Sequence, residues 1–241
     1  MLASLTELKS YRVEGIDGDI GRIEDIVFPH NEWTLRYLVV TMEEMARQAL
    51  LLSASFGGLN RGSHVLSANV RREQVTDTEP LDRSRPLDQR DEQRLHDMYG
   101  WPVYWWQEEH ERKPMGGVWD ESRAELNPDE PEYHGAQMLF ATDLISVYNL
   151  EGEGGEVGVV QDFVVDDETW TIPGMVADAA TGGGRVLVAT DYVQTIDLGA
   201  KNIYATLSAD VIRGGPAIES EQPVTPELQR TLREYYEQYT R

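Results

Sequence analysis

The stretch YRVEGIDGDIGRIEDIVFPHNEWTLRYLVV, residues 11–40, returns without a gap as YNLEGEGGEVGVVQDFVVDDETWTIPGMVA, residues 148–177. An offset of 137 positions (148 − 11) carries Glu14 to Glu151, Gly15 to Gly152, Gly18 to Gly155 and Gly21 to Gly158. It also carries Asp25 to Asp162, Trp33 to Trp170, Leu95 to Leu232 and Tyr99 to Tyr236. A chain of 241 residues that repeats itself this way is built from two copies of one module of about 100 residues, each large enough for its own core.

The repeated glycines read as turn punctuation. Gly15 and Gly18 bracket two residues, as do Gly152 and Gly155, and glycine supplies the backbone angles a tight turn needs. Gly15, Gly18 and Gly21 do not have the spacing of a phosphate-cradling loop, and no helix start follows them. After the turn, β-branched residues crowd Ile20–Phe28 and Val157–Val165, which predicts strands. Asp25 and Asp162 are the carboxylates kept inside that strand. A carboxylate there either holds a backbone amide of a turn or bulge or serves a ligand. Trp33 and Trp170 open the next strand, as core anchors or as a ligand platform. Pro173 and Gly174 replace Arg36 and Tyr37, which predicts an interrupted strand or an edge strand in the second copy.

Each copy is expected to end in an amphipathic helix, about 88–99 and about 225–239. Asp88 and Thr225 are good N-caps, and Gly100 is a stop signal. Tyr235, Tyr236 and Tyr239 are expected to pack against the second module. The expected boundaries are a first module at 1–106, an acidic linker containing Pro and Gly at 107–135, and a second module at 136–241. The first module ends in WPVYWW, which holds three of the six tryptophans. Trp101, Tyr104, Trp105 and Trp106 either cap the first module or form an exposed partner surface.

Charge and composition narrow the function. The 43 acidic and 21 basic residues give a net charge of −22, a surface that repels phosphate backbones and anionic membranes. No nucleic acid is therefore expected as partner. There is no cysteine, which excludes disulfides, thiolate metal sites and thiol catalysis. The five histidines lack metal-ligand spacing, and no acid–base or nucleophile cluster stands out. No catalytic residue, cofactor or metal is assigned. The first residues do not form a secretion signal and no stretch is apolar enough to span a membrane, so a cytoplasmic location is expected.

The glycine turn, Ile20-Gly21, Ile23, Asp25, Trp33, RYLVV and LLLS together resemble the PRC-barrel domain. That domain is found in the cytoplasmic part of the photosynthetic reaction-centre H subunit and in the C-terminal part of a ribosome maturation factor. The resemblance is stronger over residues 5–75 than over 139–212. The GWPVYWW continuation resembles stand-alone bacterial members. The resemblance implies a mainly β chain of two small barrels in tandem, each closed by a C-terminal helix. It carries over no catalytic residues. The absence of an acid–base or nucleophile cluster, the two copies of one module and the aromatic run beside a linker lead to the expectation of a non-enzymatic module that binds a protein partner or itself, for example as a homodimer. The alternative is a small-ligand or metal-ion sensor of a bacterial stress response. Fused copies are also expected to pack with approximate two-fold symmetry.

Overall fold

The β-branched runs of the sequence form two antiparallel-rich sheets in a computed structural model. The structure describes residues 2–29, 32–42, 47–76, 83–101, 138–179, 184–218 and 225–239. The chain is mainly β.

In the first copy, β1 (Leu2–Ser4) and the short helix α1 (Leu5–Leu8) lead into β2 (Arg12–Gly15) and the long β3 (Gly18–Pro29). β4 (Tyr37–Met42), β5 (Arg47–Leu52), β6 (Phe56–Asn60), β7 (Val65–Ala68) and the short helix α2 (Arg72–Thr76) follow. Then comes α3 (Gln89–Tyr99). The second copy repeats the plan with β8 (Leu139–Ala141), α4 (Thr142–Ile145), β9 (Asn149–Glu153), β10 (Gly155–Asp166) and β11 (Thr171–Ala179). It continues with β12 (Arg185–Ala189), β13 (Val193–Asp197), β14 (Asn202–Ser208), α5 (Ala209–Arg213), β15 (Ala217–Ile218) and α6 (Pro226–Glu237).

The first sheet runs β5-β4-β3-β2-β7-β6 and the second β13-β14-β9-β10-β11-β12-β15. Among the described residues each is an open path, and no strand pair closes a ring.

The first strand of each copy leaves its own sheet. β1 pairs with β10 of the second copy, Leu2 opposite Asp166 and Ser4 opposite Val164. β8 pairs with β3 of the first copy, Leu139 opposite Pro29 and Ala141 opposite Val27. The offset of 137 maps one register onto the other residue for residue, the reciprocity that a two-fold relation produces. In each copy the exchanged strand is the three-residue segment directly before the short helix. The packing follows suit: α1 lies on β10 and α4 on β3. Phe28 sits between the copies, 6.4 Å from both Phe140 and Phe163 by ring centroid, and all three rings are buried. Fully burying one such ring contributes about 1.5–3 kcal/mol, so this seam is a core.

β11 corrects one expectation. Despite Pro173 and Gly174 it is continuous and central, with β10 on one side and β12 on the other. Gly174 keeps its partners Val164 and Ala189. Pro173 falls where the register with β10 shifts, between Val164 and Asp166, and beyond the end of β12. Its missing N–H is therefore not required by either neighbour.

Two compact units emerge from the Cα distances, one up to Pro86 and again from Leu139 onward, the other Leu87–Met138. The first holds both sheets. In the second, α3 begins with Asp88, whose carboxylate accepts from the amides of Arg90 and Asp91, and Asp91 completes a capping box. The helix ends at Gly100 with φ 64°, the left-handed stop that glycine adopts without steric penalty. In the first unit, Thr225 caps α6 through the Leu228 amide, and Tyr236 is fully buried with its hydroxyl donating to the Leu187 carbonyl at 2.9 Å. Tyr235 is half-buried and donates to the Val211 carbonyl. Tyr239 departs from expectation: it lies past the end of α6 and is 48% exposed. The linker expected at 107–135 lies outside the described residues, as do Tyr104, Trp105 and Trp106.

Candidate functional site

The repeated aspartates and tryptophans lie at the junction of the two copies. Asp25 sits at a register shift of β3 between Ile23 and Asp25, and Asp162 at the matching shift of β10 between Val160 and Asp162. Each carboxylate accepts from the amide of the next residue, Ile26 and Phe163, at 2.8 Å. Each also reaches the first turn of the other copy's short helix. Asp25 accepts from the Thr142 hydroxyl and, at 3.3 Å, the Asp143 amide of α4. Asp162 accepts from the Thr6 amide of α1 at 3.2 Å. The first helical amides have no intrahelical acceptor, so the repeated aspartates satisfy them across the junction.

The first copy elaborates this arrangement. Asp25 is fully buried and pairs with Arg83 at 2.8 Å. Arg83 also pairs with Glu24 and, at 3.4 Å, with Asp143, which in turn meets Lys9 at 2.7 Å. Glu24 receives the Thr41 hydroxyl and the Gln48 amide. Burial pushes the Asp25 carboxyl above the ordinary aspartate range and the nearby Asp143 adds to this; the Thr142 hydroxyl and Arg83 work the other way. For Glu24, burial acts upward, but hydrogen bonds from Thr41 and Arg83 hold the carboxyl below its usual range. In the second copy Gln161 stands at the Glu24 position and Asp162 is only half-buried. The network is thus a ligated buried acid with an arginine hub, saturated by protein groups. Among the described residues, no group of three or more His, Asp or Glu could hold a metal ion.

Trp33 and Trp170 occupy the junction as well. Both are half-buried and both have left-handed backbones, φ 47° and 54°, where a bulky residue is strained by about 1–2 kcal/mol. The strain is offset by cross-junction hydrogen bonds. The Leu35 amide donates to the Trp170 carbonyl at 2.7 Å and the Ile172 amide to the Trp33 carbonyl at 2.6 Å, around an antiparallel bridge between Thr34 and Thr171. Trp33 stacks on Phe28 with centroids 4.8 Å apart, and Trp170 meets Phe56 edge-on at 4.8 Å.

The glycines take structural places. Gly15 pairs with Gly18, and Gly152 with Gly155, closing two-residue hairpin turns. Gly21 and Gly158 press against the neighbouring strand. A Cβ at Gly21 would stand 2.2 Å from the Thr41 carbonyl oxygen, and one at Gly158 1.9 Å from that of Asp178, so no other residue fits. Of the aromatic run, Trp101 alone is described. It is half-buried, stacks on Tyr99 with centroids 4.0 Å apart, and meets His96 edge-on at 5.6 Å.

The described residues also line recesses. One of about 80 Å³ is lined by Arg12, Arg22, Arg72 and Asp19, with Arg12 paired to Asp19. Another, about 110 Å³, lies between α6 and the second sheet around Gly174, Leu187, Tyr192 and Tyr236. Sequence reasoning missed Arg83, Thr142 and Asp143 as partners of Asp25, because they lie 58, 117 and 118 residues away. It also missed this second cleft, although the change from Tyr37 to Gly174 was a visible signal.

No helix among the described residues is long and apolar enough to cross a membrane. No protein-family model matches the chain, and no curated protein matches it.

Proposed function

We propose that the chain is a tandem protein of PRC-barrel type that works in the cytoplasm, without enzymatic chemistry, as a protein-interaction or assembly module. The motif residues carry the resemblance. One structural observation supports the functional half: the repeated Asp25/Asp162 carboxylates and the main chain at the repeated Trp33/Trp170 join one copy to the other. Asp25 and Asp162 receive amides of the opposite copy, and the Trp33 and Trp170 carbonyls receive the amides of Ile172 and Leu35. What the duplication preserves is therefore a platform, and a fold of this kind leaves function to grafted surfaces. The surface assigned to partner binding is Trp101 with Tyr104, Trp105 and Trp106.

Affinity capture and sedimentation of the wild type against a W105A/W106A double variant test this. A partner or a self-association equilibrium lost in the double variant, with the melting temperature unchanged, is the expected result. An unchanged interaction profile together with a lower melting temperature places the aromatic run in a core and overturns the assignment. Thermal shifts with divalent ions at millimolar concentration separate this reading from metal-ion sensing, because an ion that binds the native state must raise its stability.

A further inference from the structure

The second copy differs from the first at one position that opens a cavity. Tyr37 of β4 is fully buried, opposite Val27 and Leu52. Gly174 holds the same register in β11, opposite Val164 and Ala189. A whole tyrosine side chain is therefore missing from that face of the second sheet. The cleft of about 110 Å³ lies there, walled by Val164, Gly174, Leu187, Tyr192, Leu232 and Tyr236. Its aromatic walls are set: Tyr192 and Tyr236 lie 5.3 Å apart by ring centroid at 54°, and the Tyr236 hydroxyl is tied to the Leu187 carbonyl. Leu2, on the exchanged strand, also lines it, so both copies contribute.

We propose that this cleft binds a small molecule carrying a single aromatic ring, of the phenol class, with the ring over Gly174 where the first copy places the ring of Tyr37. The size agrees: an apolar cavity of about 150 Å³ accepts benzene, and this somewhat smaller one is open at its mouth. The chemistry agrees as well, since tyrosine faces favour tilted and offset contacts with another ring. Asp191 and Arg233 line the same cleft, both exposed and neither in an ion pair among the described residues. They are placed to meet polar substituents of the ring. Apolar walls with a few convergent polar groups are the usual composition of a small-molecule site. This site stands apart from the aromatic run and from the protein-interaction role, and neither depends on the other.

The test is a titration of the full chain with p-cresol, followed by amide NMR shifts, beside Gly174→Tyr and Leu232→Phe variants and a cyclohexanol control. Gly174→Tyr restores the first copy's side chain, displacing the Leu187 Cδ1 that a Cβ would approach to 3.0 Å. Leu232→Phe fills the cleft from α6 and serves if the first variant does not fold. The expected result is saturable shifts at Gly174, Leu187 and Tyr192, with affinity lowered about tenfold or more in each folded variant and weaker binding of cyclohexanol. Absence of saturable binding up to the solubility of p-cresol overturns the proposal. So does undiminished binding in the folded variants, or equal binding of cyclohexanol.

Discussion

At the scale of the residue, Asp25 is the most informative side chain. Its carboxyl is raised by burial, so the folded state holds the proton more tightly than the unfolded chain does. Its contribution to stability is therefore full below the ordinary aspartate range and is lost as pH rises through the raised folded value. Glu24 has the opposite sign: its lowered carboxyl contributes above the ordinary glutamate range and loses that contribution as pH falls. Asp25→Asn removes the first dependence only. The variant should be destabilised most at low pH, and the gap to the wild type should narrow as pH rises toward neutrality, measured by urea unfolding at a series of pH values. A gap that widens with pH would show that pairing with Arg83 outweighs burial. A second residue-scale prediction concerns Gly158. With a Cβ 1.9 Å from the Asp178 carbonyl oxygen, Gly158→Ala forces β10 and β11 apart and should cost about 1–3 kcal/mol or more, read as a lower denaturation midpoint.

At the scale of the element, the exchanged strands and α6 carry the argument. Removing residues 2–4 takes away β1, which pairs with β10 at Val164–Asp166. Hydrogen exchange should then accelerate at those amides, in the second copy's sheet, more than anywhere in the sheet of the first copy. Protection lost in the first sheet instead would contradict the exchange. On α6, the buried Tyr236 hydroxyl donates to the Leu187 carbonyl. Tyr236→Phe leaves that buried acceptor without this donor and should cost about 1–3 kcal/mol, while Thr225→Ala, which removes the cap on Leu228, should cost about 1 kcal/mol. Thermal unfolding of the two variants checks both.

At the scale of the molecule, the two sheets belong to one compact unit. Reciprocal strands, the Phe28–Phe140–Phe163 core, the Thr34–Thr171 bridge and the Lys9–Asp143 and Arg61–Asp167 pairs all cross between them. Neither sheet is complete without residues of the other copy. Equilibrium unfolding followed at both sheets should therefore show a single coincident transition; two separated transitions would mean that the junction is weaker than its contacts imply.

The duplication, the strand composition of each copy, the glycine turns and the helix caps at Asp88 and Thr225 were determined by the sequence alone. All are local: periodicity, turn chemistry and capping act over a few residues, and the offset exposes them twice. Pro173 was misleading because its cost depends on whether a neighbouring strand needs the missing donor, and only the pairing of β10 and β12 answers that. The tertiary structure alone decided where the first strand of each copy goes, because such a short strand has the same local preferences in either sheet and the choice rests on partners far away in the chain. It likewise decided that Asp25 meets Arg83 and α4, and that Gly174, standing where the first copy has Tyr37, lines a cleft beneath α6.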